Sequence, residues 1–89
     1  MPTVIFASAI QRHVPVPAMT VDGESVKDAL EAAFEREPKL RGYVLDDQSA
    51  LRTHVTVIVD GRSIADRAGM SDAVSAAAEI FVFQALSGG

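Results

Sequence analysis

Residues 79–86 have the sequence EIFVFQAL, an apolar run that predicts a buried β-strand near the end of the chain. A second strongly apolar run, TVIFASAIQR, predicts a strand from Thr3 to Arg12 that is buried on both faces. The most apolar strands of a sheet belong at its centre, where neighbours shield them from water and from other chains. We therefore expect the first and last strands to pair in the middle of one sheet.

Two further runs predict the remaining strands. Residues 14–21, VPVPAMTV, alternate in polarity, but Pro15 and Pro17 lack the N–H that an interior strand must donate, so this strand is expected at a sheet edge. Residues 55–59, VTVIV, are rich in β-branched side chains and stop at Asp60-Gly61, a dipeptide typical of hairpin turns. Residues 62–78 are expected to hold a short strand or turn and a helical turn near residues 71–74.

One main helix is predicted between the second and third strands. Ser25 is followed three residues later by Asp28, a pattern typical of a helix start at Val26, and Pro38 ends the helix. One apolar stripe runs along it at helical spacing, formed by Val26, Ala29, Leu30, Ala33 and Phe34. Residues 40–51 are interpreted as a loop or a short irregular strand.

This order of elements predicts the fold class. One helix covers only one face of a mixed four- to five-stranded sheet, so the chain is expected to form a two-layer α+β domain, the ubiquitin-like β-grasp. The predicted domain spans residues 1–86, and Ser87, Gly88 and Gly89 are expected to leave it as a flexible tail.

Composition restricts the possible functions. The chain has 89 residues, 48% of them hydrophobic, so it is expected to form one small domain with little material for a catalytic cleft. A net charge of −4 with scattered basic residues argues against nucleic acid, and no apolar run has the length of a membrane span. The absence of cysteine excludes disulfides and a persulfide held on this chain, and it favours a cytoplasmic location. The triplet at residues 7–9, ASA, is assigned to the first strand and not to a signal-peptidase site.

The last two residues, Gly88 and Gly89, suggest chemistry at a terminal carboxylate. A carboxylate accepts a nucleophile only after activation, for example as an acyl-adenylate on a separate ATP-using enzyme. Residues without a β-carbon allow the backbone to pass through a narrow active site. Glycines are also common in frayed chain ends. Here, however, they directly extend the last strand of a predicted β-grasp, which favours a carboxylate that is adenylated and then converted to a thiocarboxylate.

Several motifs resemble those of one protein family. They are IQRH at residues 10–13, GESV at 23–26, HVTVIVDG at 54–61, GM at 69–70 and EIFVFQALSGG at 79–89. The chain is similar to the MoaD/ThiS family of ubiquitin-like sulfur carrier proteins, and most similar to members that serve cysteine synthesis. The resemblance implies a β-grasp fold and an adenylating partner of the ubiquitin-activating type. It also implies that Gly89 carries the sulfur and that a biosynthetic enzyme accepts it. No cofactor is expected on the chain itself, because the activating enzyme uses the ATP.

The last strand also predicts a docking surface. All four residues from Ile80 to Phe83 are apolar, although a sheet with a helix on one face needs only one apolar face. The resemblance places Ile80 and Val82 inward. We therefore predict an exposed apolar patch of Phe81, Phe83 and Ile58 that leads toward the tail and binds partner proteins, together with Leu86 and Ser87.

Three functions remain open from the sequence. The chain is a sulfur carrier, a modifier joined to lysine through Gly89, or a ubiquitin-like interaction module whose terminal glycines are incidental. A catalytic role of its own is not expected, because no residue set matches the geometric roles of an active site. No metal site is expected either, because His13 and His54 lack a recognisable ligand spacing.

Overall fold

The computed structural model describes residues 1–84. Within them the chain forms five strands and three helices, in the order β1 (Thr3–Phe6), α1 (Ser8–Gln11), β2 (Met19–Thr20), α2 (Val26–Arg36), α3 (Lys39–Val44), β3 (Val55–Val59), β4 (Arg62–Ser63) and β5 (Glu79–Gln84). No helix in this part of the chain is both long enough and apolar enough to cross a membrane.

The strands form one mixed sheet in the order β2-β1-β5-β3-β4. The central pair, β1 and β5, is parallel, with Phe6 opposite Val82, and the other neighbours are antiparallel. The predicted pairing of the first and last strands at the centre is therefore confirmed. The edge position of the second strand is also confirmed, but its predicted length was wrong, because only Met19–Thr20 forms the strand and both prolines precede it. Strand β5 therefore lies at the centre of the sheet, between β1 and β3.

Helix α2 covers one face of this sheet and matches the prediction. The Oγ of Ser25 accepts a hydrogen bond from the N–H of Asp28 at 3.1 Å, which satisfies a free donor of the first turn. The helix ends at Arg36, two residues before Pro38. All five residues of the predicted stripe are buried against the sheet, where they meet inward side chains of β1, β3 and β5 in a single hydrophobic core.

The first strand is shorter than predicted. It ends at Phe6, and Ser8 begins helix α1, so the assignment of residues 7–9 and of the whole stretch to Arg12 to a strand was wrong. The side chain of Gln11 donates to the C=O of Phe6 at 2.8 Å, and Ile10 packs fully buried over the end of the core. Ile10 is thus buried by a turn of helix and not by a longer strand. Burial of β1 on both faces was also wrong, because Ile5 is only half-buried.

The sequence between α2 and β3 contains a helix that was predicted as a loop or irregular strand. Leu40 and Val44 are four residues apart in α3 and both are fully buried, which is the spacing of one helix face. Pro38 precedes this helix with helical backbone angles, a position where its missing N–H is not needed. Asp46 follows in a turn and accepts hydrogen bonds from two backbone N–H groups.

The Asp60-Gly61 turn is confirmed. Both residues have positive φ angles, 48° and 87°, as a two-residue hairpin between β3 and β4 requires.

No helical turn is present at residues 71–74, where one was predicted. The segment instead supports the start of α2, because the C=O groups of Met70 and Asp72 accept the N–H groups of Lys27 and Val26. Two carboxylates hold this segment in shape. The hydroxyl of Ser71 and the N–H of Gly69 lower the pKa of Asp66, and the N–H groups of Ala65 and Asp66 lower the pKa of Asp72.

Candidate functional site

Strand β5 presents apolar side chains to both faces of the sheet. Ile80 and Val82 are fully buried against α2. Phe81 and Phe83 lie on the opposite face, where they are half-buried and belong to no part of the buried core. The strand therefore has one face that stabilises the domain and a second apolar face that the core does not use.

The second face forms a continuous apolar surface across three strands. Phe81 lies between Ile5 of β1 and Ile58 of β3 in the strand register, and both isoleucines are half-buried. The rings of Phe81 and Phe83 stack with their centroids 5.5 Å apart. We call these four residues, Ile5, Ile58, Phe81 and Phe83, the outer-face patch. Side chains of neighbouring strands on one sheet face lie close together, which accounts for the partial burial of all four residues.

Sequence reasoning missed Ile5. The prediction buried the first strand on both faces, so no side chain of that strand was assigned to the surface. The signal was present in the sequence, because Val4 and Phe6 alternate with Ile5 and a strand beside β5 must share its two faces.

The end of β5 is held from both sides. On one side the N–H of Ala7 donates to the C=O of Val82 at 2.9 Å, and on the other Gln84 pairs with Val55. The sheet thus fixes the position of β5 as far as Gln84. The predicted partner-binding residues Leu86 and Ser87 and the predicted reaction site at Gly88 and Gly89 lie outside the described residues.

Two arginines lie at the start of β3, beside the end of β5. The Nη2 atom of Arg67 donates to the C=O groups of Val55 at 2.7 Å and Arg52 at 2.9 Å. The Nε of Arg52 in turn donates to the C=O of Gly42 at 2.9 Å. Arg67 thus satisfies a β3 carbonyl, that of Val55, which the two-residue strand β4 does not reach, and Arg52 links this end of β3 to α3. The two arginines also place positive charge beside the end of β5, although the net charge of the whole chain is −4.

A polar cavity of about 350 Å³ lies elsewhere, between α2 and the loops that follow α3 and β4. Its lining includes three charged side chains, those of Lys27, Glu31 and Arg41, which are residue types that can act in catalysis. Arg41, however, donates to Glu31 at 2.6 Å and to the hydroxyl of Ser49 at 3.3 Å. The charges of Arg41 and Glu31 therefore neutralise each other within the cavity. This arrangement ties α2 to α3 and offers no pair of groups set for acid and base catalysis.

The two histidines lie at the surface. His13 stacks on Tyr43 of α3 with ring centroids 4.8 Å apart, and His54 is exposed just before β3. Among residues 1–84, no three histidine, aspartate or glutamate side chains are grouped as a metal ion would need.

These features define a ubiquitin-like β-grasp protein: a mixed five-stranded sheet whose central parallel pair consists of the first and last strands, with a helix across one face. No protein-family model and no curated protein sequence matches the chain. Several solved structures do match it, over 96–100% of its length.

Three of these structures serve as examples. SAMP1 from Haloferax volcanii is 26% identical with a TM-score of 0.80, and the match covers 99% of this chain and 98% of that one. CysO in the Amycolatopsis orientalis BexX/CysO complex is 16% identical, with a TM-score of 0.84 and complete coverage of both chains. Mycobacterium tuberculosis CysO is 13% identical with a TM-score of 0.81, covering 97% of this chain and all of the other. The similarity to ubiquitin-like sulfur carriers of the MoaD/ThiS type is confirmed.

Proposed function

We propose that this chain is a sulfur carrier protein and not an enzyme, and that the carboxylate of Gly89 is its reactive group. One observation supports this most: the central strand of a β-grasp sheet runs, after a few residues, into Gly88-Gly89. Five residues follow Gln84, and an extended chain of that length spans about 16 Å at roughly 3.3 Å per residue. That length is enough for the terminus to enter a partner's active site while the folded domain stays outside.

The chemistry requires two steps on a separate enzyme. A carboxylate oxygen of Gly89 attacks the α-phosphorus of ATP, pyrophosphate leaves, and an acyl-adenylate forms. A sulfide or protein persulfide then attacks the carbonyl carbon and displaces AMP; a persulfide donor also needs a thiol to reduce the resulting acyl disulfide. The product is a thiocarboxylate, which donates its sulfur to a biosynthetic acceptor. Because the chain has no cysteine, the sulfur must come from another molecule.

The outer-face patch supplies the proposed docking surface for the adenylating enzyme. It is apolar, it includes β5, and it lies on the strand from which the tail continues, so an enzyme bound there has the terminus within reach. Aromatic side chains in the centre of a contact contribute most to binding energy. CysO, the structural neighbour from Amycolatopsis orientalis, has been solved as a complex with BexX, so a neighbour of the same fold assembles with a second protein.

The test is intact-mass analysis after incubation with ATP, an adenylating enzyme of the ubiquitin-activating type and sulfide. The proposal expects a mass gain equal to the replacement of one oxygen by one sulfur. Deletion of Gly88 and Gly89 is the matched control and should abolish the gain, because it removes the proposed acceptor of the sulfur. An unchanged mass with a panel of such enzymes would contradict the carrier function.

A second candidate function uses the same activation but ends in an isopeptide bond. It is favoured by the similarity to SAMP1 from Haloferax volcanii, which is also described as small archaeal modifier protein 1. In this case Gly89 is joined to lysines of other proteins. Conjugates in cell extract that disappear on deletion of Gly88-Gly89 would support it. If the cellular function of the protein is retained after this deletion, the result would instead favour an interaction module whose terminal glycines are incidental.

A further inference from the structure

A groove runs along the edge of the sheet farthest from β4. It has a volume of about 550 Å³ and lies between residues 15–20 and the end of α2. Val16 and Met19 are buried beneath it, Ala18 and Thr20 are exposed along it, and Arg36 and Glu37 complete its lining. The groove thus follows the edge of the sheet at β2 and the residues that precede this strand.

The outward backbone groups of this edge have no partner in the sheet. The N–H of Val21 donates to the C=O of Pro2 at 2.9 Å, and Thr20 lies opposite Thr3. In an antiparallel pair, backbone groups alternate between the neighbouring strand and the other side, so the N–H and C=O of Thr20 point away from β1. Among residues 1–84, the N–H and C=O of Ala18 make no backbone hydrogen bond.

The prolines leave this edge open. Pro15 and Pro17 precede β2, and neither occupies the position of an outward N–H at Ala18 or Thr20. An edge with free donors and acceptors at alternate residues is a template for one more strand. Such a strand satisfies the edge only if it offers backbone groups with the same spacing.

We propose that this strand is β2 of a second copy of the chain. Two copies paired antiparallel about a two-fold axis would join their sheets into one. A two-fold interface brings each surface patch onto itself, so it needs a patch that is complementary to itself. The groove meets this condition, because it contains one cation and one anion side by side, Arg36 and Glu37. Neither residue forms an ion pair within the described part of the chain.

The opposite edge fits a second copy less well. The N–H of Ile64 donates to Val57, so the N–H of Ser63 in β4 also points outward. The neighbouring Arg62 is exposed, and a two-fold axis at that edge would bring two such cations together. Pairing through β2 also leaves the outer-face patch and the end of β5 free, so it does not depend on the proposed sulfur chemistry.

The pairing element is only two residues long, so the contact belongs to the weak class of protein interfaces. We expect dissociation constants on the order of 0.1 to 1 mM, which sedimentation equilibrium of the full chain at rising concentration measures. The substitution Thr20→Pro removes the outward N–H in both copies, and it should raise the dissociation constant about tenfold or more. Ser63→Pro is the matched control. It removes an outward N–H at the other edge of the sheet and should leave the dissociation constant unchanged.

A second pair of variants tests the charges and does not depend on proline being tolerated. Arg36→Glu alone and Glu37→Arg alone place like charges across the two-fold axis, and each should weaken self-association. An equimolar mixture of the two variants restores opposite charges and should form heterodimers. Amide exchange in the wild type should slow at Thr20 as concentration rises, while exchange at Val21, already bonded to Pro2, should not change.

Two outcomes would overturn the proposal. One is a wild-type chain that remains monomeric up to about 1 mM, the weak end of the expected range. The other is association that persists equally in Thr20→Pro and in both single charge variants. Thiocarboxylate formation measured on the same proteins should be unaffected, so failure of this proposal and failure of the sulfur-carrier function are distinguishable.

Discussion

Replacement of Phe81 by alanine should separate docking from stability. Phe81 faces away from the core, with Ile5 and Ile58 beside it and Phe83 stacked on it at 5.5 Å. Ile80, the preceding residue of the same strand, is fully buried on the helix side. Replacing Phe81 or Ile80 by alanine therefore removes a large apolar side chain from one or the other face of the same strand, at neighbouring positions about 3.3 Å apart.

The expected magnitudes differ in kind. Phe81→Ala loses two cross-strand contacts of about 0.2–1 kcal/mol each and one aromatic stack of about 0.5–1.5 kcal/mol, and so costs roughly 1–3.5 kcal/mol of stability. Ile80→Ala leaves a cavity in the core and costs about 2–5 kcal/mol. For docking the order reverses. An aromatic residue at the centre of a contact contributes about 2 kcal/mol or more, which is roughly a 30-fold change in affinity.

The assay is the rate of thiocarboxylate formation at several carrier concentrations, below the melting temperatures of both variants. Phe81→Ala should raise KM about 30-fold with little change in kcat, since it removes binding that the ground state and transition state share. Ile80→Ala should have a nearly unchanged KM despite its larger loss of stability. A Phe81→Ala protein that is folded and activated with the wild-type KM would refute the docking role of the outer-face patch.

Three further predictions concern the frame that positions β5. Ser25→Ala should lower the free energy of unfolding in urea by about 1 kcal/mol because it removes the cap of α2, whereas Ser25→Asp should retain most of it. Gly23→Ala should destabilise the domain by about 1–3 kcal/mol, since its new Cβ would lie 2.7 Å from the backbone nitrogen of Ala29. The matched Gly42→Ala, where nothing lies within 4 Å of the new atom, should instead stabilise α3 by about 0.5–1 kcal/mol. Hydrogen bonds lower the pKa values of Asp66 and Asp72 in the folded protein. Both carboxylates therefore stabilise the fold fully at pH values above the unfolded-state pKa of about 3.9. This stabilisation is lost as the pH falls through the lower pKa values of the folded state. Urea midpoints from about pH 6 to pH 2 should fall more steeply in the wild type than in a variant with both residues changed to asparagine, and parallel curves would contradict this assignment.

Much of the fold follows from sequence patterns that have a single physical solution. The stripe from Val26 to Phe34 fits only a helix, Asp60-Gly61 adopts the positive φ angles that a tight hairpin needs, and the two most apolar strands shield each other at the centre. These features were predicted correctly because local propensity and burial agree.

The errors fall where a short apolar segment satisfies burial in more than one way. Ile10 can be buried by a strand or by a turn of helix, and the structure has the helix, held by backbone hydrogen bonds to Ala7 and by the side-chain bond from Gln11 to Phe6. Leu40 and Val44 lie in a six-residue helix, too short for its spacing to stand out in the sequence. Ile5 was missed in the candidate site for the related reason that β1 was expected to be buried on both faces.

The sulfur-carrier function requires Gly89 to be a free terminus that can be activated in the native protein. Mass spectrometry of the C-terminal peptide, from protein isolated from its own cells and treated with an alkylating agent that traps thiocarboxylates, tests this directly. We predict a peptide that ends at Gly89 and carries the alkyl group there in part of the molecules. The sulfur-carrier function would be contradicted by a peptide that continues past Gly89 without being trimmed. It would also be contradicted by a terminus that is never modified while sulfur metabolism is active.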